Sequence, residues 1–451
     1  MIQKHKLLRA GLGSLMLAFL LSCGGGSDVG GGSVSGNFAG DGFTLGGSSG
    51  GGSNGDGTGG DGGSSSSAST GGDGSTSTAG NGNGDGSGVG SGGTGVSTAD
   101  AGTSVGSVDG MGSIIVGGVR YDIDQLDKLD PQQWTLEDAS DLQLGMTLVA
   151  TGPVDSAFAN GKALKLKSMA QMRGSVGVVD VPGGSFQMLG STVSVDDDTV
   201  WADLPGLAGL VAGTQVQVWA LPVSPGVLRA TRIESQGAAV ATLVTGVVTL
   251  LDPGNRTFQL GGLVVDYRSA TLPLEGLADG RIVRVAASSP PVGSRLDASE
   301  VEGWYALSTV RDAPVQIEGV ITDYVSKGSF KMMGLTIDAS GVQQVTGGQE
   351  SKLGNGVKVV AGGKLSSGGV LVASKLKIRH IPGGGALPSY DLHGTIGNYV
   401  SPSDMKVRGQ QVNVSAVPNI DTSQLANGVK VWVRGTQVIE GVLQVTELTY
   451  E

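Results

Sequence analysis

The sequence predicts an all-β fold: a tandem series of small Greek-key barrels behind a disordered Gly/Ser-rich tether. Three observations predict it. One unit recurs five times, apolar residues within each copy alternate with a period of two, and no stretch shows the 3.6-residue periodicity of an amphipathic helix.

Each copy opens with a Gly followed two residues later by an aliphatic, at Gly106/Val108, Gly174/Val176, Gly246/Val248, Gly319/Ile321 and Gly394/Ile396. These openings are spaced by 68, 72, 73 and 75 residues. A short alternating strand then ends in a Gly four residues after a bulky apolar, at Phe186/Gly190, Phe258/Gly262, Phe330/Gly334, Met405/Gly409 and, more weakly, Ile114/Gly118. An apolar residue returns three positions on, at Tyr121, Val193, Val265, Ile337 and Val412, which predicts a hairpin with a Gly-containing turn.

The second half of each copy has a Gly with apolar residues at +3 and +5. These are Gly145 with Leu148 and Ala150, Gly213 with Val216 and Val218, Gly280 with Val283 and Val285, Gly356 with Val359 and Ala361, and Gly428 with Val431 and Val433. A period of two means one buried face. A last alternating stretch follows, as in Val227–Ala230 and Val442–Val445. About five strands in ~60 residues suffice to close a small barrel of the OB or SH3-like kind. The copies span 105–170 (the most divergent), 174–236, 246–304, 315–381 and 392–451.

The G-x-V opening, the F-x-(L/M)-x-G hairpin, the G-x-x-V-x-V strand and the G-x-L-x-A ending together resemble the bacterial family called domain of unknown function 5666. The resemblance covers roughly Val105 to Glu451, with Met405 in copy five where copies two to four have Phe. It implies β-domains of lipoproteins set behind low-complexity tethers. It implies no functional residues, because the family is named for its lack of known activity.

The N-terminus agrees with that address. Residues 1–22 have a basic start (Lys4, His5, Lys6, Arg9), an apolar run from Leu15 to Leu21 and a small residue, Ser22, which is the form of an export signal. Leu20-Leu21-Ser22-Cys23 resembles the bacterial lipobox, so Cys23 is expected to be lipidated and residues 1–22 removed. Resemblance to lipoproteins further implies that Gly24, rather than Asp, after the Cys directs the protein to the outer membrane. Each buried acyl CH₂ contributes about 0.8 kcal/mol to such an anchor. Cys23 is the single cysteine, so no intramolecular disulfide supports the fold.

Residues 23–104 follow as a lipidated Cys and a tether that is nearly all Gly, Ser, Thr, Asn and Asp, without Lys or Arg. Such a composition buries too little apolar area to offset its ordering entropy. As a coil it would reach on the order of 50 Å from the lipid. The GxSxG match at Gly51–Gly55, centred on Ser53, follows no strand and is a product of composition.

Composition also narrows function. With 82 Gly against 7 Phe, 7 Tyr and 5 Trp, much of the chain cannot be packed core. Without residues 1–22, 26 basic residues face 40 acidic ones, a net charge of −14. That balance, and the reading that no Lys/Arg cluster follows Arg9, argue against nucleic acid as a partner. His380 and His393, the remaining histidines, form no metal pattern, and the run Asp196–Asp198 reads as a solvated loop, so no metal and no cofactor are expected. No catalytic constellation is legible. An envelope hydrolase built on paired carboxylates is the least supported reading, and any ligand pocket would have to form between domains.

Trp219 and Trp432 stand at +6 and +4 from their strand Gly, opposite in parity to the buried positions, so both should project outward from their barrels. Packing between repeats is the favoured reading and contact with a ligand or partner the alternative. Trp134, Trp201 and Trp304 lie in connecting segments. The sequence thus points to a non-enzymatic, lipid-anchored cell-envelope protein whose barrels serve structural or protein-interaction roles, its partners being the membrane and an unidentified envelope protein. The alternative is a glycan-binding array using the outward Trp residues.

Overall fold

The computed structural model describes residues 102–451, apart from 125, 127–140, 238–240, 274–275, 305–306, 308–311, 385–386 and 388–389. Cys23, the tether, Ser53 and Trp134 lie outside the described residues. Repeat one comprises β1 (Gly102–Met111), β2 (Ile114–Val116), β3 (Val119–Asp122), β4 (Thr147–Gly152), β5 (Asn160–Lys162) and β6 (Lys165–Ser168). Repeat two comprises β7 (Met172–Asp180), β8 (Ser185–Met188), β9 (Ser191–Ser194), β10 (Val200–Trp201), β11 (Gln215–Ser224) and β12 (Val227–Ser235). Repeat three comprises β13 (Thr242–Asp252), β14 (Thr257–Leu260), β15 (Leu263–Asp266), β16 (Ile282–Ala287), β17 (Arg295–Asp297) and β18 (Glu300–Gly303). Repeat four comprises β19 (Pro314–Ser326), β20 (Ser329–Met332), β21 (Leu335–Asp338), β22 (Lys358–Leu365) and β23 (Leu371–His380). Repeat five comprises β24 (Tyr390–Ser401), β25 (Asp404–Val407), β26 (Gln410–Asn413), β27 (Lys430–Ile439) and β28 (Val442–Tyr450).

Every repeat closes a five-membered ring in which the first strand pairs with the second, the second with the third, the third with the fifth, the fifth with the fourth and the fourth with the first. The rings are β7-β8-β9-β12-β11, β19-β20-β21-β23-β22 and β24-β25-β26-β28-β27. In repeats one and three the fifth strand is interrupted, its halves being β5/β6 and β17/β18. The third and fifth strands run parallel in all five repeats, so the ring is a Greek-key barrel of the OB kind.

The two recurring glycines have separate duties. In the hairpin, Leu189-Gly190, Met333-Gly334 and Arg408-Gly409 each form a two-residue loop with both φ angles positive, 49 and 76, 51 and 78, 54 and 82 degrees. This is the type I′ turn whose twist matches the flanking strands, and Gly meets its need for positive φ. The second glycine couples the barrel's two halves. The N–H groups of Gly145, Gly213, Gly280, Gly356 and Gly428, at φ from 80 to 89 degrees, donate to the carbonyls of Val108, Val176, Val248, Ile321 and Ile396 at 2.8–2.9 Å. Those carbonyls belong to the aliphatics of the G-x-V opening. The two sequence signatures of the repeat are therefore bonded to each other.

Inside the barrels the period-two pattern does what it predicted. Phe186, Phe258, Phe330 and Met405 are buried, as are the +3 and +5 residues of every fourth strand. Fully burying one such large side chain stabilises the fold by about 1.5–3 kcal/mol.

Repeats are not joined in sequence order. Strand β1 runs parallel to β19 of repeat four, with Thr103, Ser104 and Val105 opposite Val315, Gln316 and Ile317. Further along, Gly110 and Met111 stand opposite Asp391 and Leu392 of β24 in repeat five. Repeats one, four and five thereby share one sixteen-stranded sheet, while repeats two and three share a twelve-stranded sheet through Leu243 and Arg173. The composition of β1 explains its position. It is buried along nearly its whole length, and its small residues let neighbours approach: a Cβ on Gly110 would stand 2.2 Å from the Asp391 carbonyl oxygen. The divergence of repeat one is the mark of a strand packed on both faces.

Candidate functional site

Polar and charged side chains converge where repeats one, two, four and five meet. Arg379 on β23 donates to Asp109 on β1 at 2.5 Å, and the other Asp109 oxygen accepts from the Gly118 N–H at 3.0 Å. Glu318 on β19 accepts from the Ser107 N–H and hydroxyl at 2.7 and 2.8 Å. Lys358 on β22 lies 3.0 Å from Asp198 and 3.7 Å from Asp196 of repeat two, where His380 and Arg229 also face Asp196 at 3.6 and 2.8 Å. The Tyr390 hydroxyl of repeat five donates to the Asp198 carbonyl at 2.5 Å.

These groups titrate abnormally for identifiable reasons. Burial pushes the Asp109 carboxyl up to about 6 against the opposing pull of Arg379. Burial would also raise Asp196, but Lys358, Arg229 and His380 together hold it at about 2. Lys358 is raised because Asp196 and Asp198 outweigh its burial. Burial, with Lys377 beside it, brings Lys375 down to about 8, and Lys377 is lowered by burial and by Arg379.

Above this seam lies a cleft of about 190 Å³ bounded by three repeats. Asp109, Ile115, Gly118 and Arg120 come from repeat one, Lys377 and Arg379 from repeat four, and Tyr390, Asp391 and Arg434 from repeat five. Asp109, Arg379 and Tyr390 are buried and form its floor. Arg120, Lys377, Asp391 and Arg434 are half-buried around it. The strand-built floor holds its charges in fixed positions, the condition for electrostatic recognition without reorganisation.

Two sequence expectations are corrected here. Asp196 and Asp198 do not sit in a solvated loop: their side chains are 2% exposed and face Lys358 of another repeat. A basic cluster does follow Arg9, because Lys375, Lys377 and Arg379 alternate along β23 and are joined in space by Arg120 and Arg434. Its signal, K-L-K-I-R, was present in the sequence. The intervening apolar residues made it read as an ordinary strand.

The outward parity of the tryptophans leads to different surroundings. Trp219 faces away from its own barrel, yet it is 3% exposed. It packs in a core cluster with Leu142, Leu144 and Met146 of repeat one, and the Arg232 guanidinium lies 5.8 Å from its ring centroid. Trp432 remains half-buried. Its indole N–H donates to Asp391 at 2.8 Å, His393 stacks on it at 5.2 Å and Arg434 lies 5.7 Å from its centroid. Trp201 and Trp304 are buried in the cores of repeats two and four. His380 belongs to the buried seam and His393 to the Trp432 patch. Among the described residues no group of three or more His, Cys, Asp or Glu side chains is arranged to hold a metal ion.

No curated protein matches the chain. The family model described as "Domain of unknown function (DUF5666)" matches residues 173–234 and 318–377, the second and fourth of the five barrels. The remaining three barrels repeat the same ring of strands and the same Gly-to-aliphatic hydrogen bonds, and the two matched stretches are consistent with tandem DUF5666 repeats.

Proposed function

We propose that the chain is a non-enzymatic protein of the bacterial cell envelope, anchored in the outer membrane by acyl chains on Cys23 and carrying its five barrels on the 23–104 tether. The barrels act as one composite body that presents a fixed surface to an envelope protein. The observation that supports this reading is the sharing of β1 between repeats four and five, reinforced by the buried Asp109–Arg379 and Lys358–Asp198 pairs. A body assembled this way displays residues from different repeats in fixed register. Nucleic acid is not proposed as the partner, given the net charge of −14 once residues 1–22 are removed.

The test has two parts. Radiolabelled palmitate should enter the wild-type chain and not Cys23→Ala, and absence of label in wild type would remove the anchor. A pull-down from detergent-solubilised envelope with the full chain should then return a specific protein partner.

One observation favours glycan binding as a second reading: Trp432 is half-buried rather than enclosed in a core. Glycan-array binding lost in Trp432→Ala would promote it, and an array without binding would end it.

A further inference from the structure

The cleft between repeats one, four and five carries more positive charge than its acids neutralise. Four cations line it, Arg120, Lys377, Arg379 and Arg434, against two carboxylates, Asp109 and Asp391. Asp109 is bound to Arg379 on the floor, and Trp432 holds Asp391 through its indole N–H. Arg434 reaches Glu447 at 3.0 Å on the outer side of β27. Arg120 and Lys377 form no ion pair among the described residues. Lys375 adds a fifth cation behind the rim: a Cβ on Gly118 would stand 3.8 and 3.9 Å from the ammonium groups of Lys377 and Lys375.

We propose that this cleft binds a small oxyanion, a free phosphate or a carboxylate or phosphate carried on a molecule no larger than a monosaccharide. The charge inventory sets the sign of the ligand: an anion between Arg120 and Lys377 meets two cations that no ion pair among the described residues holds. Geometry sets its size, since about 190 Å³ lies below the range of roughly 300–1,000 Å³ typical of pockets for drug-sized ligands. Architecture sets its dependence on assembly, because no single barrel supplies more than two of the four lining cations. Arg379, fixed by Asp109, offers a preorganised guanidinium on the floor, and the half-buried Arg120 and Lys377 offer donors at the mouth. The inference stands apart from the lipid anchor and from any protein partner, neither of which touches its argument.

Calorimetric titration of the full chain in detergent at low ionic strength tests it, with inorganic phosphate, glucuronate and glucose as probes. The expected result is saturable, salt-sensitive binding of phosphate, glucuronate or both, with no binding of glucose. The tighter of the two charged probes distinguishes a free phosphate from a carboxylated sugar. The Arg120→Gln/Lys377→Met double variant should weaken binding by about tenfold or more, and Lys377→Arg should retain it. Neither double-variant position forms an ion pair among the described residues, so its melting temperature should match wild type. Should the double variant fail to fold, the single variants Arg120→Gln and Lys377→Met take its place, each with an expected loss of about threefold or more. Absence of binding by both anions up to about 10 mM, equal binding of glucose, or wild-type affinity in the folded variant would overturn the proposal.

Discussion

Arg379 of repeat four donates to the buried carboxylate of Asp109 in repeat one across 270 residues of chain. Both side chains are nearly inaccessible, at 5% and 3% exposure, so neither can turn to water if the other is lost. Arg379→Met or Asp109→Ala should each destabilise the chain by roughly 3–5 kcal/mol, because each strands a buried charge. The double variant should lose much less than the sum. Chemical denaturation of the three variants checks this, and strict additivity would show that the two groups are not coupled.

The same carboxyl makes stability depend on pH. Its folded value of about 6 lies above the ordinary 3.8, so the stabilisation it supplies is fully present below about 4 and is lost as pH rises through 6. Asp196 acts in the opposite sense and in another window: held at about 2, it stabilises above about 4 and loses that contribution as pH falls toward 2. Asp109→Asn strands Arg379 as Asp109→Ala does, but its deficit relative to wild type should narrow as pH rises from 4 to 7, because only the wild type loses stability over that range. Melting curves across that range would contradict the assignment if the difference stayed constant.

The two outward tryptophans should respond differently to truncation. Trp219→Ala removes a ring packed against repeat one and should cost roughly 3–5 kcal/mol. Trp432→Ala removes a half-buried ring and should cost less, about 1–2 kcal/mol, chiefly through the Asp391 hydrogen bond. Paired denaturation curves check the ranking.

Glycines equivalent in sequence should also separate. Gly213 and Gly145 share positive φ, so an Ala at either meets a strain of about 1–2 kcal/mol. Nothing lies within 4 Å of a Cβ at Gly213, whereas at Gly145 it would stand 2.6 Å from the Thr231 carbonyl oxygen of repeat two. Gly145→Ala should lower the melting temperature clearly more than Gly213→Ala.

These contrasts show how much of the molecule was legible beforehand. The barrel was, because Phe186, Val216 and Gly213 obey local rules of alternation and turn geometry that each copy restates. The assembly was not. Nothing in one sequence ties Thr103 to Val315 or Asp196 to Lys358, since such pairs belong to separate units that could equally have hung apart. The candidate site was readable only in part: Lys375, Lys377 and Arg379 lay in plain sight on a strand pattern, but Arg120 and Arg434 reach them only through the packing of repeat one between repeats four and five. Parity placed Trp219 outside its barrel without telling that another barrel covers it.

The joining of distant repeats on β1 underlies both the composite body and the cleft, and disulfide trapping tests it most directly. Thr103 and Val315 are paired across the parallel β1–β19 ladder, and Cys23 is the only native cysteine. In a Cys23→Ser background, Thr103→Cys with Val315→Cys should oxidise to an intramolecular cross-link that shifts mobility on non-reducing gels, while each single variant stays monomeric. A pair that remains reduced under mild oxidant, or that links only between molecules, would contradict the shared sheet.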